Sequence, residues 1–219
     1  MDAPRWLRPA VAVAWPLALA GTALRLLLAP LALRITYLMP WVPANGLAED
    51  QRLQWGALAL AVVRGDVPAG ALLHVRSDPA FTEAEVGHLR DVAAIVQGAT
   101  VVWGLTVALL AGLAFLAWRR GWREAFLRGL DRGSAALLAA LGALAAAALL
   151  AFPLVFDLFH GVLFAEGSWQ FSYDSILIRL FPQAFWRTML AAWVLLAVAP
   201  AVGWLLVRRA GRDKATDGS

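Results

Sequence analysis

Two histidines stand out by what surrounds them. His88 lies in "EVGHLRDV" and has Asp91 three residues after it. His160 lies in "VFDLFHGVLF" and has Asp157 three residues before it. On a helix, positions three apart share a face. A carboxylate there can bond one ring nitrogen and fix the tautomer, leaving the other nitrogen for a proton or a metal. Two such imidazoles suit general acid–base work, and two His with two Asp also suit a divalent-metal centre of the kind found in membrane hydrolases. The third histidine, His74, has neither an acidic neighbour nor a helical setting and is not taken as a site.

Other nucleophile chemistry finds little support. The chain has no cysteine, which excludes disulfides, thiolate metal sites and a Cys nucleophile. No Walker loop, HExxH or GxSxG occurs, and the serines are not set for a Ser-His-Asp arrangement. Acid–base catalysis on a substrate that brings its own nucleophile is the chemistry these residues fit.

The elements that must position the histidines are membrane spans. Of 219 residues, 61% are hydrophobic and 16% charged, well to the apolar side of a soluble domain. Four stretches reach the ~20 apolar residues a crossing needs. They cover 10–33, 92–118, 134–156 and 185–207. The expected fold is an all-α integral membrane protein, a four-transmembrane-helix bundle within a single membrane domain (1–219), with a small extracytoplasmic domain from segments 34–91 and 157–184. The first span follows Arg5 and Arg8, and "ALAG" within it resembles a signal-peptidase site. The apolar run continues well past that point, which favours an uncleaved anchor. The third span is rich in Ala and Gly, which places it centrally in the bundle. Pro16, Pro30, Pro153 and Pro200 are expected to kink the helices that hold them.

Orientation follows from the basic residues. "RRGWREAFLRGLDR", between spans two and three, carries five arginines and two acids. Arg5 and Arg8 precede span one, and Arg208, Arg209, Arg212 and Lys214 follow span four. These segments are expected in the cytoplasm, with both termini. The segment from Arg34 to Asp91, with five arginines against seven acids, is expected outside, as is 157–184. The net charge of +4 therefore reports topology and not a nucleic-acid face. All three histidines fall on the outer side, His88 and His160 at matching depth.

Within the outer segments, Leu47–Val63 reads as an amphipathic helix, suited to the headgroup layer. "LLHV" reads as a short strand-like start, followed by a turn at Asp78-Pro79. Thr82 with Glu85 forms a capping box, so a helix should begin near Glu83 and run into span two. Arg25, late in span one, is either a snorkelling side chain or a partner for a lipid phosphate, an ester carbonyl or an acid; the second is preferred. Most tryptophans read as interface anchors. Trp169 differs, since it lies between His160 and Asp174 in the outer loop.

In order along the chain stand "TEAEVGHLRDV" (Thr82–Val92), a span, "FHGVLF" with Trp169 soon after, and "DSILIRLFPQAFW" (Asp174–Trp186) before the last span. This series resembles the bacterial four-span membrane family that includes the lipoprotein intramolecular transacylase. Ala93 stands where that family often has Lys. The resemblance implies an enzyme that moves an acyl chain from the glyceryl group of a diacylglyceryl lipoprotein to the α-amino group of its N-terminal cysteine. It carries the family's two histidines over to His88 and His160. On that reading His160 is the base, His88 the oxyanion donor, Asp91 and Asp157 orient them, and Arg25, Trp169 and Asp174 meet substrate. The implied partners are the lipoprotein and membrane lipid, and no cofactor or metal is needed. Besides the metal-dependent hydrolase, a non-enzymatic protein binding a lipid or partner stays open as an alternative.

Overall fold

Apolar length and the placement of caps decide where each helix runs. The computed structural model describes residues 2–75 and 81–217, with side chains as far as 211. The helices are α1 (Leu7–Leu27), α2 (Pro30–Tyr37), α3 (Glu49–Arg64), α4 (Glu83–Arg119), α5 (Arg123–Leu163), α6 (Ile176–Leu180) and α7 (Gln183–Asp217). Among the described residues, α1, α4, α5 and α7 are long and apolar enough to cross a membrane. The all-α, four-span architecture is thus present.

Several local expectations change. The first span ends at Leu27, because Pro30 lacks an N–H and opens a new helix, α2, instead of bending the old one. Pro16 and Pro200 sit inside unbroken helices. Pro153 does act as expected, for the backbone of α5 leaves helical values at Ala151. "LLHV" is not strand-like: Ala69–His74 forms a 3-10 turn after Pro68, too short to pair with anything. The turn at Asp78-Pro79 lies outside the described residues.

The chain divides into two compact units. The first comprises residues 1–24, 101–146 and 193–219. Here α1 hydrogen-bonds to α4, α5 and α7. Gly129 and Gly133 of α5, four apart, let its backbone close on α1; a Cβ on Gly133 would stand 2.9 Å from the Ala12 carbonyl oxygen. The Ala run beyond them is largely exposed. Indole N–H groups then bond across helices. Trp15 donates to the Ser134 hydroxyl at 3.0 Å, Trp103 to Thr22 at 3.1 Å and Trp193 to the Ala20 carbonyl at 3.0 Å. Trp204 donates to Asp131 at 2.9 Å, where Arg208 also pairs at 3.3 Å. These tryptophans are helix-to-helix donors and not merely interface anchors, because an indole N–H removed from water needs an acceptor. All three basic segments of the sequence belong to this unit.

The second unit comprises residues 25–100 and 147–192 and holds all three histidines. Its core joins Trp55, Ala59 and Val62 of α3 with Leu72, with Val86 and Leu89 of α4, and with Ile176, Leu177 and Leu180 of α6. The face of α3 expected in the headgroup layer is therefore committed to protein packing. Arg52 is buried with its guanidinium 3.9 Å over the Tyr37 ring, and burial pushes the Tyr37 phenol well above its usual range.

The capping box at the start of α4 forms as the spacing predicts. The Glu85 carboxylate accepts from the Thr82 backbone N–H at 2.8 Å and its hydroxyl at 2.9 Å, while the Thr82 Oγ1 accepts from the Glu85 N–H. Its second oxygen accepts from the Leu177 N–H at 2.9 Å, in the first turn of α6. Glu85 is 1% exposed. Removing it strands two backbone donors without water. Glu85→Ala should cost roughly 2–5 kcal/mol and expose 164–182 to protease in detergent. Denaturant unfolding of the variant checks this, and a loss below about 0.5 kcal/mol would contradict it.

Candidate functional site

Two helices deliver the imidazoles. His88 stands one turn after Glu85 on α4, so the capping box that starts the helix also fixes its rotation. His160 stands in the last turn of α5, beyond the break at Ala151 and Pro153 that redirects the helix end. Both rings are nearly closed off, His88 at 8% and His160 at 9% exposure. Their centroids are 6.2 Å apart, with planes inclined by 27°. No hydrogen bond joins the two rings.

The surroundings are aromatic. Phe164 lies 4.7 Å from His88 and 5.5 Å from His160, centroid to centroid. Phe156 lies 4.0 Å and Trp169 4.9 Å from His160, and Phe171 lies 5.7 Å from His88. Such walls keep water from the imidazoles and suit a substrate with long acyl chains. Phe156 and Phe164 are four residues before and after His160, a same-face spacing on a helix, so the signal for them was present in the sequence. Phe171 carries no such signal, since it comes from an irregular loop.

Orientation of the rings differs from expectation. Asp91 and Asp157 are both exposed, and neither hydrogen-bonds its histidine. A shared helical face brings two side chains near each other, but these carboxylates turn outward to be solvated. The acceptor for His160 is instead the Phe156 backbone carbonyl, 2.8 Å from Nδ1. A carbonyl oxygen only accepts, so the neutral ring carries its proton on Nδ1 and keeps the Nε2 lone pair free. Among the described residues Nδ1 of His88 is buried without a hydrogen-bond partner.

The other candidates are spread more widely. Trp169 is in the site, half-buried against His160. Arg25 stands exposed in the last turn of α1. Asp174 lines a cleft with Asn45 and Arg179 that neither imidazole borders, and the Ser172 hydroxyl beside it holds its carboxyl below the usual range. His74 is exposed and borders a different cleft, beside Gln51 and Trp55. Among the described residues no group of three or more His, Asp or Glu side chains converges as metal ligands do. The two-His, two-Asp metal centre thus lacks its donor set. Glu85 is the structural residue whose full reach the sequence did not reveal.

Comparison with known proteins places this arrangement. Residues 67–186 match the family described as lipoprotein intramolecular transacylase Lit, an interval containing both histidines. A protein of Aquifex aeolicus (strain VF5), described only as uncharacterized, is 30% identical over 151 residues. That match covers 64% of this chain, which spans 63% of the relative's length. The fold is that of the membrane-integral Lit from Bacillus cereus, with a TM-score of 0.74 at 17% identity over 97% of both chains. Two variants of that enzyme, with one histidine changed to arginine or to alanine, superpose with TM-scores of 0.58 and 0.66. At 18% and 16% identity they cover 98% and 97% of this chain and 94% of their own. This multi-pass membrane chain belongs to the lipoprotein intramolecular transacylase family.

Proposed function

We propose that this chain transfers an acyl group within a lipoprotein, from the glyceryl moiety of a diacylglyceryl-modified cysteine to that cysteine's own α-amino group. The observation that carries the reading is the pair of imidazoles 6.2 Å apart within aromatic walls. Family membership supplies the reaction class, and the variants solved for the Bacillus cereus enzyme were made at a histidine.

The chemistry balances with the residues present. The α-ammonium first gives up one proton to solvent, and the neutral amine nitrogen attacks the ester carbonyl carbon while His88 stabilises the charge that develops on oxygen. Nε2 of His160, the nitrogen left free by the Phe156 carbonyl, takes the second proton from that nitrogen as the bond forms. The carbon–oxygen bond to glycerol breaks, an amide forms, and the proton is returned to the leaving glycerol oxygen. No water, cofactor or protein nucleophile enters. Holding amine and ester together contributes as well, since well-oriented intramolecular reactions gain up to ~7–11 kcal/mol. Trp169 and Phe164 pack against the acyl chain, and Arg25 and Asp174 contact other parts of the substrate. Asp91 and Asp157 act through space, as exposed negative charges near the two rings.

In the cell the reading puts the site on the outer face of the plasma membrane, with both termini in the cytoplasm. The distribution of Lys and Arg supports this, since the basic segments lie away from those carrying the histidines. Expression in a bacterium whose lipoproteins have a free amino terminus, followed by mass spectrometry of a tracer lipoprotein, tests the activity. The wild-type chain should yield an N-acylated lyso-form. His160→Ala and His88→Ala should each reduce it about a hundredfold or more. Undiminished lyso-form in either variant would refute the role of that histidine.

A further inference from the structure

The loop that walls His160 continues into a second feature of the same unit. Four residues after Trp169 comes Tyr173, 94% exposed. Tyr173 and Asp174 border a cleft of about 690 Å³ with Asn45, Ile178, Arg179 and Gln183. Its wall is built, not incidental. Arg179 Nε donates to the Asn45 carbonyl at 2.9 Å, and Asn45 Nδ2 donates back to the Arg179 carbonyl at 3.4 Å. The turn presenting Asn45 needs left-handed backbone at Asn45 (φ 52°) and Gly46 (φ 76°). A Cβ on Gly46 would come 3.3 Å from Arg179 Nη2. This reciprocal clamp spends only Nε of the guanidinium. Its terminal N–H groups make no hydrogen bond among the described residues, and Arg179 and Asp174 both border the cleft.

We propose that this cleft binds the extended polypeptide that follows the lipidated cysteine of the substrate. The inference rests on the acyl-transfer reading, which puts that cysteine at the histidine pair. From Trp169 to Tyr173 the chain spans at most roughly 14 Å. A substrate peptide extended by four residues covers about the same distance, so its length suffices to reach Tyr173 from the ring that walls His160. An extended peptide offers carbonyl acceptors and N–H donors whatever its side chains. Arg179 supplies donors and Asp174 an acceptor, while Tyr173 offers a ring to lie against the strand. Recognition of backbone, and not of side chains, lets one enzyme accept lipoproteins of differing sequence.

Two synthetic substrates test the proposal: dipalmitoylglyceryl-cysteine followed by a single alanine, and the same lipid followed by six residues. For the wild-type chain kcat/KM should favour the longer by about tenfold, a ratio one charge-assisted hydrogen bond can supply, carried by KM. Scrambling the six residues should preserve the ratio. Tyr173→Ala, at a side chain packed on almost nothing, and Arg179→Gln should each bring it toward one. A ratio near one for the wild type, or an unchanged ratio in both variants, would overturn the cleft as a peptide site. Failure to N-acylate either substrate would instead refute the acyl-transfer reading, and the peptide site would fall with it.

Discussion

A carboxylate buried to 1% exposure carries the geometry of the histidine-bearing unit. Glu85 uses one oxygen to begin α4 and the other to begin α6, 92 residues away. Burying a charge costs several kcal/mol unless its lone pairs are filled, and here three donors fill them. The tie has consequences in both directions along the chain. One turn after Glu85 comes His88, and upstream of Leu177 run Trp169 and Phe171, the rings that touch His160 and His88. A single side chain thus sets the start of one histidine-bearing helix and anchors the loop that closes over both imidazoles.

The rest of the site follows from the break in α5. Without the departure at Ala151 before Pro153, the helix end carrying Phe156, His160 and Phe164 would continue along its former axis. With it, Phe156 and Phe164, four residues before and after His160, form one aromatic wall around that imidazole. The Phe156 carbonyl then selects the tautomer. The position and orientation of the His160 ring come from one short helical segment, and the loop with Trp169 adds to its wall. That economy explains how a chain with no cysteine and no activated serine can present a base to a substrate amine.

Much of this was legible in the sequence, for identifiable reasons. Apolar length marked the four spans, and the Thr82–Glu85 spacing marked the start of α4. Span ends and basic segments put His88 and His160 at one depth, which is why their meeting could be anticipated from residues 72 apart in the chain. What stayed hidden was side-chain direction. Three-residue spacing suggested that Asp91 and Asp157 would hold the rings, yet both are exposed, and the holding atom is a backbone carbonyl that no pattern reveals. Composition likewise drew attention to the Ala-rich run, whereas α5 comes within contact of α1 at Gly129 and Gly133, before that run begins. The second oxygen of Glu85 and the placement of Phe171 depend on long-range contacts, which local spacing does not encode.

In the proposed mechanism the two imidazoles act on one reacting centre as a unit. A double-mutant cycle on the rate of lyso-form production, with His88→Ala, His160→Ala and the pair, measures this directly. The double variant should be no more than a few-fold slower than the slower single one, because either loss disables the same proton transfer. Losses that multiply would show the histidines working independently, and the shared centre would have to be abandoned.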